Sequence, residues 1–169
     1  MNAVSELSRI LPLDRMPPEG IEFTVRALPP EFAGIAARLR VPAVQALECH
    51  FRLVPAKGGL PGAVVAHGRL SARLTRECVV SLDPFKTEQT EEFRVHLVVD
   101  GSESDELDPD ADDEVPYAGD SVDLGELALE QLALVLEPYP RKPGAQLPAE
   151  ATEEPESPFA ALTRLARPT

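Results

Sequence analysis

The feature that most limits what this chain can fold into is a long alternation of apolar and polar side chains between positions 64 and 75. The apolar phase consists of Val64, Ala66, Gly68, Leu70, Ala72 and Leu74. His67, Arg69, Arg73 and Thr75 stand in the opposite phase. Because successive side chains of a strand point to opposite faces, this period of two predicts a strand with one buried and one solvated face. Such strands are typical of antiparallel sheets.

Further strands and two helices are predicted around this one. The same period of two recurs over three other stretches, 21–27, 47–53 and 93–99. The Gly- and Pro-rich stretch from Pro55 to Gly62 indicates a hairpin loop. Apolar residues at helical spacing predict helices over 31–40 and 124–136, the second capped by Asp123. The expected fold class is α+β, with an antiparallel, curled or barrel-like sheet of about five or six strands and two main helices.

The length of 169 residues suits one domain. We expect an extended N-terminal arm over 1–20, a single α+β domain over 21–141, and a Pro- and Glu-rich tail over 142–169 with a short C-terminal helix. Residues 100–114 contain nine acids and no base. Since such a stretch buries little apolar surface, 100–120 is predicted to be an acidic, mobile and disordered loop.

The charge balance points to the kind of partner. The formal net charge is −13, from 29 acidic and 16 basic residues. This charge repels bare nucleic acid at long range and attracts basic proteins. The sequence has neither a secretory signal pattern nor an apolar run of roughly 18 residues, so we expect a cytoplasmic protein with no membrane association.

Reactive and metal-binding side chains are few. Cys49 and Cys78 fall in the apolar phase of their predicted strands, which favours buried, structural thiols over a nucleophile. His50, His67 and His96 fall on the polar faces of predicted strands. Solvated surface histidines are therefore favoured over a zinc site.

Motifs that carry catalysis or bind ligands are missing from the sequence. It contains no nucleotide-binding, nucleophile-elbow or metalloprotease pattern. A calcium loop starting at Asp108 fails, because Asp113 stands where Gly is needed and Gly119 where Glu is needed. We therefore expect no enzymatic activity, no catalytic residues, no bound metal and no cofactor.

Two small basic groups are possible contact sites for phosphate. Arg69, Arg73 and Arg76 lie along one predicted strand, with Arg69 and Arg73 on the same face. Arg141 and Lys142 follow the last predicted core helix. Because the chain is so acidic, solubilising charges opposite acids are the favoured interpretation of both groups.

Several segments together resemble a known family. Residues 68–85, GRLSARLTRECVVSLDPF, resemble the central motif of the YceD family, the bacterial large ribosomal RNA subunit accumulation proteins. The other similar segments are Leu7-Ser8-Arg9 for the entry arm, 122–126 with 130–132 for the second motif, and 138–141 and 158–162 for the C-terminal motifs. The resemblance spans nearly the whole chain.

The sequence departs from this family at one place. Many members have a Cys-x-x-Cys in the central motif and further cysteines near the C-terminus, which resembles a zinc site. Here Cys78 matches the first position, Ser81 stands at the second, and 138–144 contains no cysteine. One thiolate does not complete a tetrahedral site, so no metal is carried over.

The resemblance implies a role in the synthesis, processing or accumulation of large-subunit (23S) ribosomal RNA. The expected mechanism is non-enzymatic binding of a basic ribosomal protein or a ribosomal assembly intermediate. The candidate motif and binding residues are Arg69, Arg73, Arg76, Asp83, Asp123, Glu126, Gln131 and Arg141. Two alternatives stay open: direct binding of ribosomal RNA by the Arg cluster, and a hydrolase that acts on precursor RNA.

Overall fold

Two sheets and two helices make up the described part of the chain. The computed structural model describes residues 6–14, 16–56, 62–102 and 113–146. Its strands are β1 (Ile10–Pro12), β2 (Ile21–Arg26), β3 (Ala43–Pro55), β4 (Val64–Glu77), β5 (Pro84–Val99), β6 (Asp113–Tyr117) and β7 (Ser121–Asp123). Its helices are α1 (Phe32–Leu39), preceded by a 3-10 turn at Pro29–Glu31, and α2 (Leu124–Val135). The α+β class is confirmed.

The main sheet has five strands in the order β2-β3-β4-β5-β6. The first four are antiparallel neighbours, but β6 lies parallel to β5 and pairs with Val95–Val99. The prediction of a wholly antiparallel sheet is therefore wrong at this edge. Parallel neighbours, unlike the antiparallel pairs of this sheet, cannot be joined by a short hairpin turn. β2 and β6 are the edges of the described sheet, so closure into a barrel is not confirmed.

β5 begins at Pro84 rather than at the predicted Phe93. Residues 86–92 are polar in both phases, so no alternation of hydrophobicity marks them in the sequence. They are extended because they pair with the second half of β4, which places Leu70 opposite Glu91 and Leu74 opposite Thr87. A strong strand thus imposes its conformation on a neighbour with a weak pattern of its own.

The core lies between one face of the main sheet and the two helices. Its fully buried leucines include Leu47, Leu53, Leu70, Leu74 and Leu97 on strands and Leu124, Leu129 and Leu132 on α2. Burial of one such side chain stabilises a fold by about 1.5–3 kcal/mol. Aliphatic packing therefore supports this core without any Trp.

The N-terminal arm docks against the start of α2. The Leu7 side chain is fully buried, and β1 pairs antiparallel with β7, which continues directly into α2. The Leu124 N–H donates to the Arg9 carbonyl at 3.0 Å. Gly125 allows this approach, because a Cβ there would lie 2.3 Å from the Leu7 carbonyl oxygen.

Parts of the predicted acidic loop and tail lie outside the described residues. These parts are 103–112 and 147–169, the latter with the predicted C-terminal helix. Within the predicted loop 100–120, residues 113–117 form β6 instead. Tyr117 explains this difference, since its ring is buried and its hydroxyl donates to the Gly62 carbonyl at 2.7 Å.

Among the described residues, no helix combines the length and the apolar character that are needed to cross a bilayer.

The close approach at Gly125 predicts that Gly125→Ala destabilises the protein. Ala normally favours a helix over Gly by about 1 kcal/mol. Here its Cβ would push Leu7 out of the core, so we expect a net loss of about 1–2 kcal/mol in the free energy of unfolding. Urea unfolding measures this loss, and limited proteolysis reports release of the arm.

Gly34→Ala is the matched control, because the atoms nearest its Cβ belong to the flexible side chain of Glu6. We expect Gly34→Ala to be neutral or stabilising. Equal unfolding free energies for the two variants would contradict the role assigned to Gly125.

Candidate functional site

The eight candidate residues lie in three separate regions. The outer face of the main sheet carries Arg69 and Arg73. The turn between β4 and β5 has Arg76, Asp83 and Arg141 around it. The helix α2 carries Glu126 and Gln131, and Asp123 caps its start. Because odd numbers of positions separate Arg76 from Arg69 and Arg73, its side chain points to the opposite face of β4. The predicted Arg cluster is therefore not one surface.

Asp123 joins the arm to α2. Its Oδ1 accepts from the backbone N–H groups of Arg9 (2.7 Å), Gly125 (2.9 Å) and Glu126 (3.3 Å). Its Oδ2 accepts from the Ser8 hydroxyl at 2.6 Å. The predicted helix cap is confirmed, and the same carboxylate also holds the N-terminal arm, which the sequence pattern did not indicate.

The other two candidates on α2 also have structural contacts. The Arg38 guanidinium donates to both carboxyl oxygens of Glu126 and, at 3.2 Å, to Glu6. These bonds, foremost those to Glu126, raise the pKa of Arg38 above its ordinary value. Gln131 is buried within the same helix. Glu126 thus ties α2 to α1.

The turn between β4 and β5 packs against the chain that follows α2. The Val79 N–H donates to the Pro140 carbonyl at 2.9 Å, and the Lys142 ammonium lies 3.3 Å from an Asp83 carboxyl oxygen. Arg76, which is 8% exposed, donates to the Glu137 carbonyl. Burial lowers the pKa of Arg76, partly offset by Glu137. Two of the resembling segments, 68–85 and 138–141, are thus held together.

Cys78 lies one residue beyond the end of β4, not on its apolar face as predicted. Its predicted burial is confirmed, although it does not belong to the main core cluster. The Ser81 hydroxyl, followed by backbone N–H groups of Lys142 and Ser81, lowers the pKa of its thiol to about 7. Cys49 contrasts with it, because burial in the core raises the pKa of that thiol to about 12.

A cleft of about 600 Å³ opens beside this turn. Its lining residues include Arg38, Arg40, Val41, Arg76, Glu77, Val79, Leu136, Glu137, Pro138 and Pro140. Three segments far apart in sequence thus meet here: the end of α1, the end of β4 and the chain after α2. The sequence pattern did not indicate this cleft, since it arises only from tertiary packing.

The outer face of the main sheet carries paired charges. The Arg69 guanidinium lies 2.8 Å from a Glu92 carboxyl oxygen, and Arg52 lies 3.2 Å from Glu22. Arg73 is exposed and stands opposite Glu88 in the register of β4 and β5. Cross-strand pairing of opposite charges accounts for most of these residues without a ligand.

The three histidines lie on this outer face, on β3, β4 and β5. The His50 ring bonds to the Thr24 hydroxyl at 2.9 Å and to Glu48 at 2.7 Å, on the side of β2. In the part of the chain that the structure describes, no three His, Cys, Asp or Glu side chains are grouped so as to hold a metal ion.

A stripe on α2, half-buried at Glu126 and exposed at Glu130 and Leu134, was not predicted as a site, although Glu126 was a candidate residue. It consists of Glu126, Glu130 and Leu134, which recur every four residues and so share one face of the helix. Leu134 is 72% exposed. Desolvation, with added repulsion from Glu126, raises the pKa of Glu130. We call this surface the acidic stripe; its spacing of four residues is the signal that could have revealed it.

The comparison with family models gives one match. Residues 66–166 match the model of the family described as "Large ribosomal RNA subunit accumulation protein YceD". Neither a curated protein nor a solved structure matches the chain. The matched range begins at Ala66 within β4 and contains the turn around Cys78, β5, β6, β7 and all of α2.

The bonds to Asp123 predict that Asp123→Ala is strongly destabilising. Loss of a cap costs about 0.5–2 kcal/mol, and loss of the bonds to Ser8 and Arg9 adds to it. Asp123→Asn keeps an oxygen for the three N–H donors, so we expect a smaller effect. Chemical unfolding of both variants measures the difference, and equal stability of Asp123→Ala and the wild type would contradict this role.

The lowered pKa of Cys78 predicts a thiol that ionises near neutral pH. We expect one thiolate to appear in the ultraviolet absorbance with a midpoint near pH 7, and none in Cys78→Ser, because Cys49 stays protonated. Since the folded state favours the thiolate, the free energy of unfolding should rise between pH 7 and 9 and lose this increment below pH 7. A midpoint near the ordinary 9.0 would contradict the hydrogen bonding described for Sγ.

Proposed function

Because the chain belongs to the YceD family of large ribosomal RNA subunit accumulation proteins, we propose that it acts there as a non-enzymatic binding factor. Its partner is a basic ribosomal protein, alone or within an assembly intermediate, and the encounter takes place in the cytoplasm. The acidic stripe on α2 is the docking surface. The family description gives the role in ribosomal RNA accumulation; the mechanism and the partner are our proposal.

The observation that carries this proposal is an exposed Leu134 on the same helix face as two carboxylates. A large apolar side chain that is 72% exposed has no role in the core, which α2 contacts through its other leucines. Apolar anchors beside charged groups are typical of protein interfaces. Leu134 would supply the anchor, while Glu130 would select a partner with Lys or Arg side chains, since Glu126 is already bonded to Arg38.

The pKa of Glu130 supports a cationic partner. Desolvation and the neighbouring Glu126 raise this pKa, because both destabilise the charged carboxylate. Arg38 offsets only part of this effect. A Lys or Arg of a bound partner would relieve the repulsion, which makes binding and ionisation of Glu130 mutually favourable.

The net charge of −13 supports the same partner at longer range. Complementary charge steers diffusional encounter and disfavours like-charged partners. Bare RNA is such a like-charged partner, and the arginines of the outer sheet face are largely paired with glutamates. Direct RNA binding through Arg69 and Arg73 is therefore the weaker candidate, and a hydrolase lacks a supporting arrangement among the described side chains.

The test is affinity purification of the tagged full-length chain from cells, with identification of bound proteins and RNA. We expect Glu130→Lys and Leu134→Ser each to reduce recovery of a basic ribosomal protein about tenfold, equivalent to about 1.4 kcal/mol. Both side chains are exposed, so thermal unfolding should show unchanged stability.

Glu88→Lys is the matched control, because it makes the same charge reversal on the outer sheet face. It should leave recovery unchanged. If Arg69→Ala with Arg73→Ala abolishes recovery while the α2 variants do not, direct RNA contact replaces this proposal. Recovery of no ribosomal component by the wild type would refute both.

A further inference from the structure

The cleft beside the β4–β5 turn presents apolar surface that the described chain leaves open. Val79 is 44% exposed at its edge, and Val41, Leu136, Pro138 and Pro140 complete the wall. Exposed apolar surface gathered in a concave site marks a place where another segment packs. The cleft and the acidic stripe share no residue, although Arg38 of the cleft bonds to Glu126 of the stripe, so each surface is tested with variants at residues that the other surface does not use.

Charged side chains of both signs line the same cleft. Arg40 is exposed and has no ion pair among the described residues. Arg76 is more than nine-tenths buried, and the hydrogen bond described for its guanidinium is to the Glu137 carbonyl. Glu77 and Glu137 also line the cleft, while Arg38 is already neutralised by Glu126 and Glu6. A carboxylate that enters here meets Arg40 without displacing another acid, and it meets Arg76 beside Glu137, which already acts on the charge of Arg76.

The chain itself leads away from this cleft with the matching chemistry. Pro140 belongs to the lining, and the described chain ends six residues later at Gln146. The residues that follow contain Glu150, Glu153, Glu154 and Glu156 without a base, and then the apolar run 158–162. Acids followed by an apolar run are the complement of a cleft with arginines and an aliphatic wall.

The connection is long enough for this segment to return. Phe159 is 13 residues beyond Gln146, and an extended chain spans up to about 3.4 Å per residue, or about 44 Å here. Attachment to the same chain also gives the segment an effective concentration of the order of millimolar. A weak individual interaction therefore suffices for high occupancy.

We propose that residues 150–162 of the chain's own tail occupy the cleft. The carboxylates lie against Arg40 and against the accessible part of the Arg76 side chain. Phe159 and Leu162 pack on the wall formed by Val79, Leu136 and Pro138. The tail thereby covers the apolar surface that the β4–β5 turn exposes. This occupancy depends on the cleft alone and not on the partner that docks on α2.

The test places a photo-cross-linking side chain in the full-length protein through Phe159→p-benzoylphenylalanine. After irradiation of a dilute sample, mass spectrometry maps the linked peptides. We expect intramolecular links to peptides that contain 38–42, 76–79 or 133–140. Arg40→Glu should lower their yield about fivefold, as loss of an attraction of about 1 kcal/mol does.

Arg73→Glu is the matched control, since it reverses an exposed arginine on the opposite, outer face of β4. Its yield should equal that of the parent. A second variant, Glu153→Gln with Glu154→Gln, tests the same attraction from the side of the tail and leaves the described residues unchanged. Links that map mainly to the outer sheet face, that join different molecules, or that respond equally to Arg40→Glu and Arg73→Glu would overturn the proposal.

Discussion

Four donors converge on the carboxylate of Asp123, and the positions of the N-terminal arm and of α2 depend on these hydrogen bonds. Two belong to the arm, Ser8 and Arg9, and two to the first turn of α2. One side chain therefore fixes a helix start and closes a contact between segments more than a hundred positions apart. Because Leu7 is buried by this closure, the cap contributes to the core as well as to the helix.

Local pattern predicted those elements in which one strand or helix carries its own signal. The alternation along β4 and the capped start of α2 are examples, since side-chain direction and cap chemistry are set within a few residues. The first half of β5 and the parallel β6 could not be predicted in this way. Their conformation comes from pairing with a neighbouring strand, in the case of β6 with Val95–Val99. A short stretch of sequence does not indicate which strand it will pair with.

The predicted site residues show the same difference between what a local pattern reveals and what tertiary packing decides. Asp123, Gln131 and Arg76 belong to resembling segments, and the structure gives each of them a structural contact or a buried position. Membership in a resembling segment therefore does not by itself make a residue a binding residue. The acidic stripe followed from helical spacing that was available in the sequence, whereas the cleft required three distant segments to be brought together. Of these two surfaces, only the acidic stripe could have been predicted from the sequence pattern.

The distribution of charge separates the two proposed surfaces. Ion pairs such as Arg69 with Glu92 make much of the outer sheet face self-compensating. Negative charge that Arg38 offsets only in part remains at Glu130, and positive charge remains at Arg40, which has no ion pair in the described chain. An acidic tail and a basic partner therefore favour different surfaces, because each would be repelled where the other binds. A strongly acidic protein can in this way keep its own carboxylate-rich tail off the face that it offers to a cationic partner.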